Sequence, residues 1–453
     1  MKATNLDYIN QKNNTDLKHI PGEYGLPMLG VTGQILTGQL QMARRRFETY
    51  GPVSRIQMAF DKGVLLLGPE FAQETLLDSK RNYSSKMGYK WGLQPYFGDS
   101  YLLGNDFDEH KFQRRILQNG FKNAAMRGYV DLMNPVLEQG IDNWDFDSDF
   151  RFYPNIKRLL LEMGMKVFFG VDGASDLSRE LSQTFSDLME GQMGLFHVNI
   201  PGFKFHKAMK AKKALRAYVA SLIPCAREED RGDMLSFMAK ETKPDGSYFS
   251  VDELVDHATF LIFASHDTTT STLIHQMYYL AKEQNWQDKL REEGQKVNGG
   301  GALAYDDLDQ VTLSQVCFHE SQRLHPSVAL MMRRTIKETE LGGHHIPANT
   351  LIFQMPIFTN RFEKYWTDPD SFDPARFLPE RAEQKRHPFA YMAFGGGAHK
   401  CIGMHFAYMQ AKLFTQVFLQ SYKISLPENY QPEFLTIPLP KIKDHLPLIT
   451  EKL

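Results

Sequence analysis

One segment limits what this chain can become: Phe394-Gly395-Gly396-Gly397-Ala398-His399-Lys400-Cys401-Ile402-Gly403. Three consecutive glycines rule out regular structure and let the backbone approach a bulky planar object closely. Downstream, Phe406, Met409, Leu413, Val417 and Phe418 recur at helical spacing, so residues 402–420 read as a helix. Cys401 then sits at its N-terminus, where backbone N–H groups and the helix dipole favour a thiolate over a thiol. A lone cysteine is more often just a small buried hydrophobe. A thiolate presented by a glycine loop, however, is a suitable axial ligand for haem iron.

The rest of the composition narrows the context. Only three cysteines occur in 453 residues, Cys225, Cys317 and Cys401. They cannot build a disulfide framework, and so sparse a set suits a reducing compartment. Lys plus Arg number 52 against 54 Asp plus Glu, a net charge of −2, which argues against nucleic-acid binding through bulk positive charge. Mean hydropathy is −0.40 and no apolar run reaches the length of an integral membrane span. Residues 1–20 are polar, with no secretory signal core, and read as a flexible tail before Pro21-Gly22. The expectation is a cytoplasmic protein.

No repeat or linker divides the chain, so residues 21–453 read as one large domain, mainly α with small β-sheets. Residues 53–68 predict a β-hairpin turning at Asp61-Lys62-Gly63, and 333–355 a second β-rich patch. Most of 107–290 has helical spacing. Ser250 with Glu253 forms a capping-box signature before an apolar run to about Leu280. Thr312 with Gln315 predicts a second box, opening a helix that ends before Pro326.

The pattern Phe394, Gly397, His399, Cys401, Gly403 resembles the haem-ligand loop of the cytochrome P450 family of haem-thiolate monooxygenases. The resemblance implies heme b, with Cys401 as the iron's axial thiolate and Ala264, Phe394, Gly395 and Gly403 against the cofactor. Other segments extend it. Glu320 and Arg323, three apart on one helix face, resemble the family's buried Glu-x-x-Arg pair, with Arg376 of Phe-Asp-Pro-Ala-Arg-Phe as third partner; these three are then structural. Ala264-Ser265-His266-Asp267-Thr268-Thr269 resembles the oxygen-activation signature, with Asp267 and Thr268 as its catalytic acid–alcohol pair. Ser265 stands where the family usually has Gly. The run of threonines, poor helix material, reads either as a helix whose hydroxyls bond backward and pack or as a local opening of the helix there. His110, Arg114, Arg333 and His399 match positions that hold the haem propionates.

The function implied is insertion of one oxygen atom from O2 into a C–H bond of a hydrophobic substrate. No flavin or nicotinamide segment is recognisable, so an external ferredoxin or reductase must supply electrons, docking near Lys111, Arg115, Lys122 and Lys400. The family default is a monomer. The expected pocket residues are Tyr89, Trp91, Tyr96, Phe97, Phe260, Phe263, Val328, Ala329 and Leu330, with Phe196, Phe203 and Phe205 from a lid. The opening Pro-Gly-Glu-Tyr-Gly-Leu-Pro-Met-Leu-Gly is similar to the retinoid- and sterol-oxidising branch, which favours a lipid, terpenoid, steroid or retinoid. The alternatives are a peroxide-using haem-thiolate enzyme and a haem-binding sensor. Asp267-Thr268 argues against both, since neither needs a dedicated proton relay.

Overall fold

The computed structural model describes residues 16–171, 176–192, 197–243, 245–436 and 439–453. Helices dominate, and the sheets are small. The largest sheet has five strands in the order Val53–Met58, Asp61–Leu66, Leu351–Gln354, Met331–Thr335, Tyr83–Ser84. Its first pair is the predicted hairpin, but the turn falls at Ala59-Phe60. Asp61, Lys62 and Gly63 lie inside the second strand, Gly63 pairing with both Ile56 and Leu351. The neighbouring strand's carbonyl passes where a side chain at 63 would stand, so Gly63 marks close strand approach rather than a turn.

The main core gathers around the 32-residue helix Val251–Lys282, which is buried along most of its length. An apolar stripe wider than one face fits a helix surrounded by others. Helices Phe152–Phe169, Lys204–Glu228, Leu313–Leu324 and Met404–Ser421 pack against it. The Ser250 box forms in full: Ser250 Oγ accepts from the Glu253 N–H at 3.2 Å, and Glu253 accepts from the Ser250 N–H at 2.8 Å. The box expected at Thr312 does not form. Glu293, from the helix Gln284–Asn298, takes the N–H groups of Thr312 and Leu313 instead, at 2.9 and 3.0 Å. The helix so capped, Leu313–Leu324, does end before Pro326.

One further expectation changes, and one open alternative is decided. Residues 16–20 are not loose: Leu17 and Ile20 are fully buried, and Arg55 donates to the carbonyls of Lys18 and Ile20. The earlier part of the expected tail lies outside the described residues. Of the two readings of the threonine run, the structure shows the backward-bonded one, and the long helix does not open there. It runs unbroken because the hydroxyls bond backward along it, Thr268 to Ala264 O and Thr272 to Thr268 O, at 2.6 and 3.0 Å. Among the described residues, no helix is long and apolar enough to cross a membrane.

Candidate functional site

The glycine loop crosses one end of a central cavity of about 240 Å³. Gly397 sits at φ +62°, and a Cβ there would strike the carbonyl of Leu76, so only glycine lets the loop lie on the helix Pro69–Leu77. The loop closes through Cys401 N–H to Phe394 O, 2.9 Å, and the helix Met404–Ser421 begins just beyond. Cys401 is exposed, but to the cavity it lines. Burial pushes its thiol pKa up, against the pull of the Gly403 N–H, Arg114 and Lys400. The helix start alone therefore does not ionise it. A coordinated metal cation would, since it deprotonates a ligating thiol outright. The other cysteines lie elsewhere, Cys317 in the core and Cys225 half-buried on the helix Lys204–Glu228.

Four basic side chains converge on one edge of this cavity. His110 and Arg114 come from the helix Phe107–Leu117, Arg333 from the strand Met331–Thr335, and His399 from the loop. The two imidazoles lie face to face, ring centres 3.8 Å apart. Arg114 donates to Lys400 O at 2.6 Å and Arg333 to Met332 O at 2.8 Å, and among the described residues neither forms an ion pair. His110 Nε2 is buried and has no hydrogen-bond partner among the described residues. Burial, and then the neighbouring arginines, hold the His110 pKa down at about 4 and that of His399 well below its ordinary value. Such a cluster suits a ligand that brings carboxylates to this edge, restoring hydrogen bonds and charge balance together.

The opposite wall is the long helix, through Phe260, Leu261, Ala264, Ser265, Thr268 and Thr269. Behind Thr268 lies a hydroxyl ladder that no local sequence motif announces. Ser327 donates to Thr268 O at 2.8 Å and meets Thr272 Oγ1 at 2.9 Å, and Gln322 donates to Thr272 at 3.1 Å. Asp267 does not line the cavity. Its carboxylate lies 3.4 Å from Lys157 Nζ and 3.2 Å from His266 Nδ1. Burial alone would raise its pKa, but His266 and Lys157 overcome that and hold it at about 2.

Of the expected pocket residues, Tyr89, Phe260 and Val328 line the cavity. Phe97 and Phe263 form a second layer, stacked on each other at 4.8 Å with Phe97 edge-on to Phe260. Tyr96 is buried away from the cavity, its hydroxyl on Gly191 O. Trp91 is 59% exposed and stacks on His197, so it is no part of the wall. Ala329 and Leu330 face a separate cluster with Phe353 and Ile357, which takes them out of the pocket as well. Phe203 is exposed and Phe205 packs on Tyr96 and His197, both off the cavity, while Phe196 lies outside the described residues.

Away from the cavity lining, Glu320, Arg323 and Arg376 do come together, all essentially inaccessible. Glu320 accepts from Arg323 Nε and Nη2 at 2.7 and 2.8 Å, from Arg376 Nε at 3.0 Å and from Asp373 N–H at 2.8 Å.

A sulfur ligand at one wall, a basic edge for carboxylates and apolar faces between them fit a haem. Fold and site together define a haem-thiolate protein. The family model for cytochrome P450 matches residues 20–443. The chain is 33% identical over 438 residues to putative cytochrome P450 136 of Mycobacterium tuberculosis, covering 96% of this chain and 88% of that one. It is 25% identical to putative cytochrome P450 120 of Synechocystis, over 94% and 95% of the two chains. The solved structure of retinoic acid bound cyanobacterial CYP120A1 superposes with a TM-score of 0.86, at 24% identity, covering 96% of this chain and 99% of that one. The chain belongs to the cytochrome P450 family, and is a haem-dependent monooxygenase.

Proposed function

We propose that Cys401 is the proximal haem ligand, that His110, Arg114, Arg333 and His399 hold the propionates, and that the substrate is a hydrophobic lipid, terpenoid, steroid or retinoid. One observation carries the reading: a single cavity joins Cys401, the four basic groups and Thr268. Haem bound there supplies the activation of O2 and the insertion of one oxygen atom into a C–H bond. The chain's own residues do the rest. Leu102, Leu103, Phe260 and Val328 exclude water and give an apolar substrate its place. Thr268 holds a proton on Oγ1 at the cavity wall, parked on Ala264 O, and delivers it by turning outward. Asp267 stays ionised behind it, held by Lys157 and His266, as the acid of the acid–alcohol pair.

Electrons come from an external acidic partner. Lys111, Arg115, Lys122 and Lys400 are exposed, and among the described residues none is in a salt bridge, which leaves them free to steer such a partner to the Cys401 side. The cyanobacterial neighbour has retinoic acid bound, which adds support for the retinoid class. The test is a visible spectrum of the ferric holoprotein titrated with a fatty acid, a terpenoid, a steroid and retinoic acid. A shift to high spin with one class is expected. Response only to small polar compounds overturns the substrate reading, and full turnover on peroxide without a reductase overturns the partner.

A further inference from the structure

Asp256 sits on the long helix, two turns before Ala264 and on the face that carries Phe260. It is only 5% exposed and takes no part in the chemistry above. Its Oδ2 accepts from the backbone N–H groups of Asp99 and Ser100, at 3.1 and 3.2 Å. Its Oδ1 pairs with Arg216 Nη1, on the helix Lys204–Glu228. Arg216 reaches Asp252 as well, at 2.6 Å, and Lys212, one turn earlier, donates to Pro95 O at 2.7 Å. Gly98, at φ +85°, lies so close that a Cβ there would strike the Asp256 carboxylate.

What is held is the cavity's own wall. Phe97 and Tyr101, on either side of the clamped amides, pack on Phe260 with ring centres 5.4 and 5.1 Å away. Leu102 and Leu103, which follow directly, line the cavity. A link of four residues between Phe97 and Leu102 has little regular structure of its own, so its position depends on the carboxylate that takes its N–H groups. We propose that Asp256 is a positioning residue that sets the shape of the substrate cavity, clamping residues 97–103 to the long helix, with Arg216 tying the clamp to the helix that lies across it. Selectivity for bulky ligands therefore depends on a side chain that touches neither haem nor substrate.

The test uses ferric holoprotein and two probes of haem, imidazole and 4-phenylimidazole, in Asp256→Asn, Gly98→Ala and wild type. The first variant weakens the acceptor; the second displaces it while leaving its charge. Exchange of the Asp99 and Ser100 amides is expected to quicken about tenfold in both. The ratio of the two probe affinities is expected to change about fivefold or more, with imidazole itself moving less than twofold. A lowered thermal midpoint with wild-type exchange at these amides, or with both probes shifted equally, means that Asp256 only stabilises the fold and overturns the proposal. If Asp256→Asn yields no holoprotein, Gly98→Ala and Arg216→Ala decide by the same readouts. Failure of either probe to bind wild type would count against the haem site, whereas the exchange measurement still judges the clamp.

Discussion

Replacing Glu320 with alanine should cost far more than its modest pattern in sequence suggests. In the structure this carboxylate takes four donors at 2.7–3.0 Å, and it and both arginines are at most 1% exposed. Two buried guanidiniums are balanced there by two carboxylates, Glu320 and Glu383. Glu320→Ala leaves Arg323 with the carbonyls of Asn360, Pro369 and Ser371 and, among the described residues, no counter-charge within salt-bridge distance. Breaking a buried pair by removing one partner costs about 3–5 kcal/mol. That is a large fraction of the roughly 5–15 kcal/mol by which a folded domain is stable. The control is Asp306→Ala. Its pair with Arg127 is just as short, 2.6 and 2.7 Å, but the side chains are 73% and 53% exposed. Solvent screens an exposed pair of this kind, so its removal should barely move stability. Urea midpoints of the holoproteins, followed by circular dichroism and by haem absorbance at matched slopes, compare the two. A difference between the variants of less than about 1 kcal/mol would refute the argument from burial.

Three other outcomes follow from the same geometry. His257 is buried, neither ring nitrogen has a hydrogen-bond partner among the described residues, and burial holds its pKa at about 4. Its unfolded value is near 6.5, so the fold binds fewer protons than the unfolded chain and loses about 3 kcal/mol as pH falls from about 6.5 to 4. His257→Phe should flatten urea midpoints over that window; an unchanged slope contradicts the reading. Thr268→Ala should lower product formed per reducing equivalent about tenfold or more and release the difference as hydrogen peroxide, since it removes the only hydroxyl of the acid–alcohol pair; unchanged coupling would remove Thr268 from the proton path. Gly397→Ala forces a side chain into a left-handed backbone position against Leu76 O, at a strain of at least about 1–2 kcal/mol. Haem occupancy should fall and transfer of haem to apomyoglobin should quicken, and wild-type retention would show that the loop gives way freely.

The sequence was most legible where chemistry demands a fixed local pattern. The loop around Cys401, the Ser250 box and the Glu320–Arg323 spacing are each read within one short segment. What stayed hidden depends on partners far away in sequence. Glu293, nineteen residues from Thr312, supplies the cap that Gln315 was expected to share. Lys157, more than a hundred residues upstream, fixes Asp267 facing away from the cavity. The aromatic run at 83–103 contains wall, second layer and surface alike, because the direction in which Tyr89, Phe97 and Trp91 face is set by tertiary packing and not by residue type. The threonines of the long helix left two readings open in sequence: backward hydrogen bonds satisfy them in place, so their low helix propensity never becomes a break.

The central claim is that Cys401 ligates haem iron from the glycine loop. The most direct measurement is the spectrum of the reduced protein with carbon monoxide, for wild type, Cys401→Ser, Cys317→Ser and Cys225→Ser. Wild type and the variants at Cys317 and Cys225 should show the red-shifted band that gives the family its name, and Cys401→Ser should lose it. Retention of that band by Cys401→Ser, or its loss in either of the other variants with haem still bound, would contradict the account.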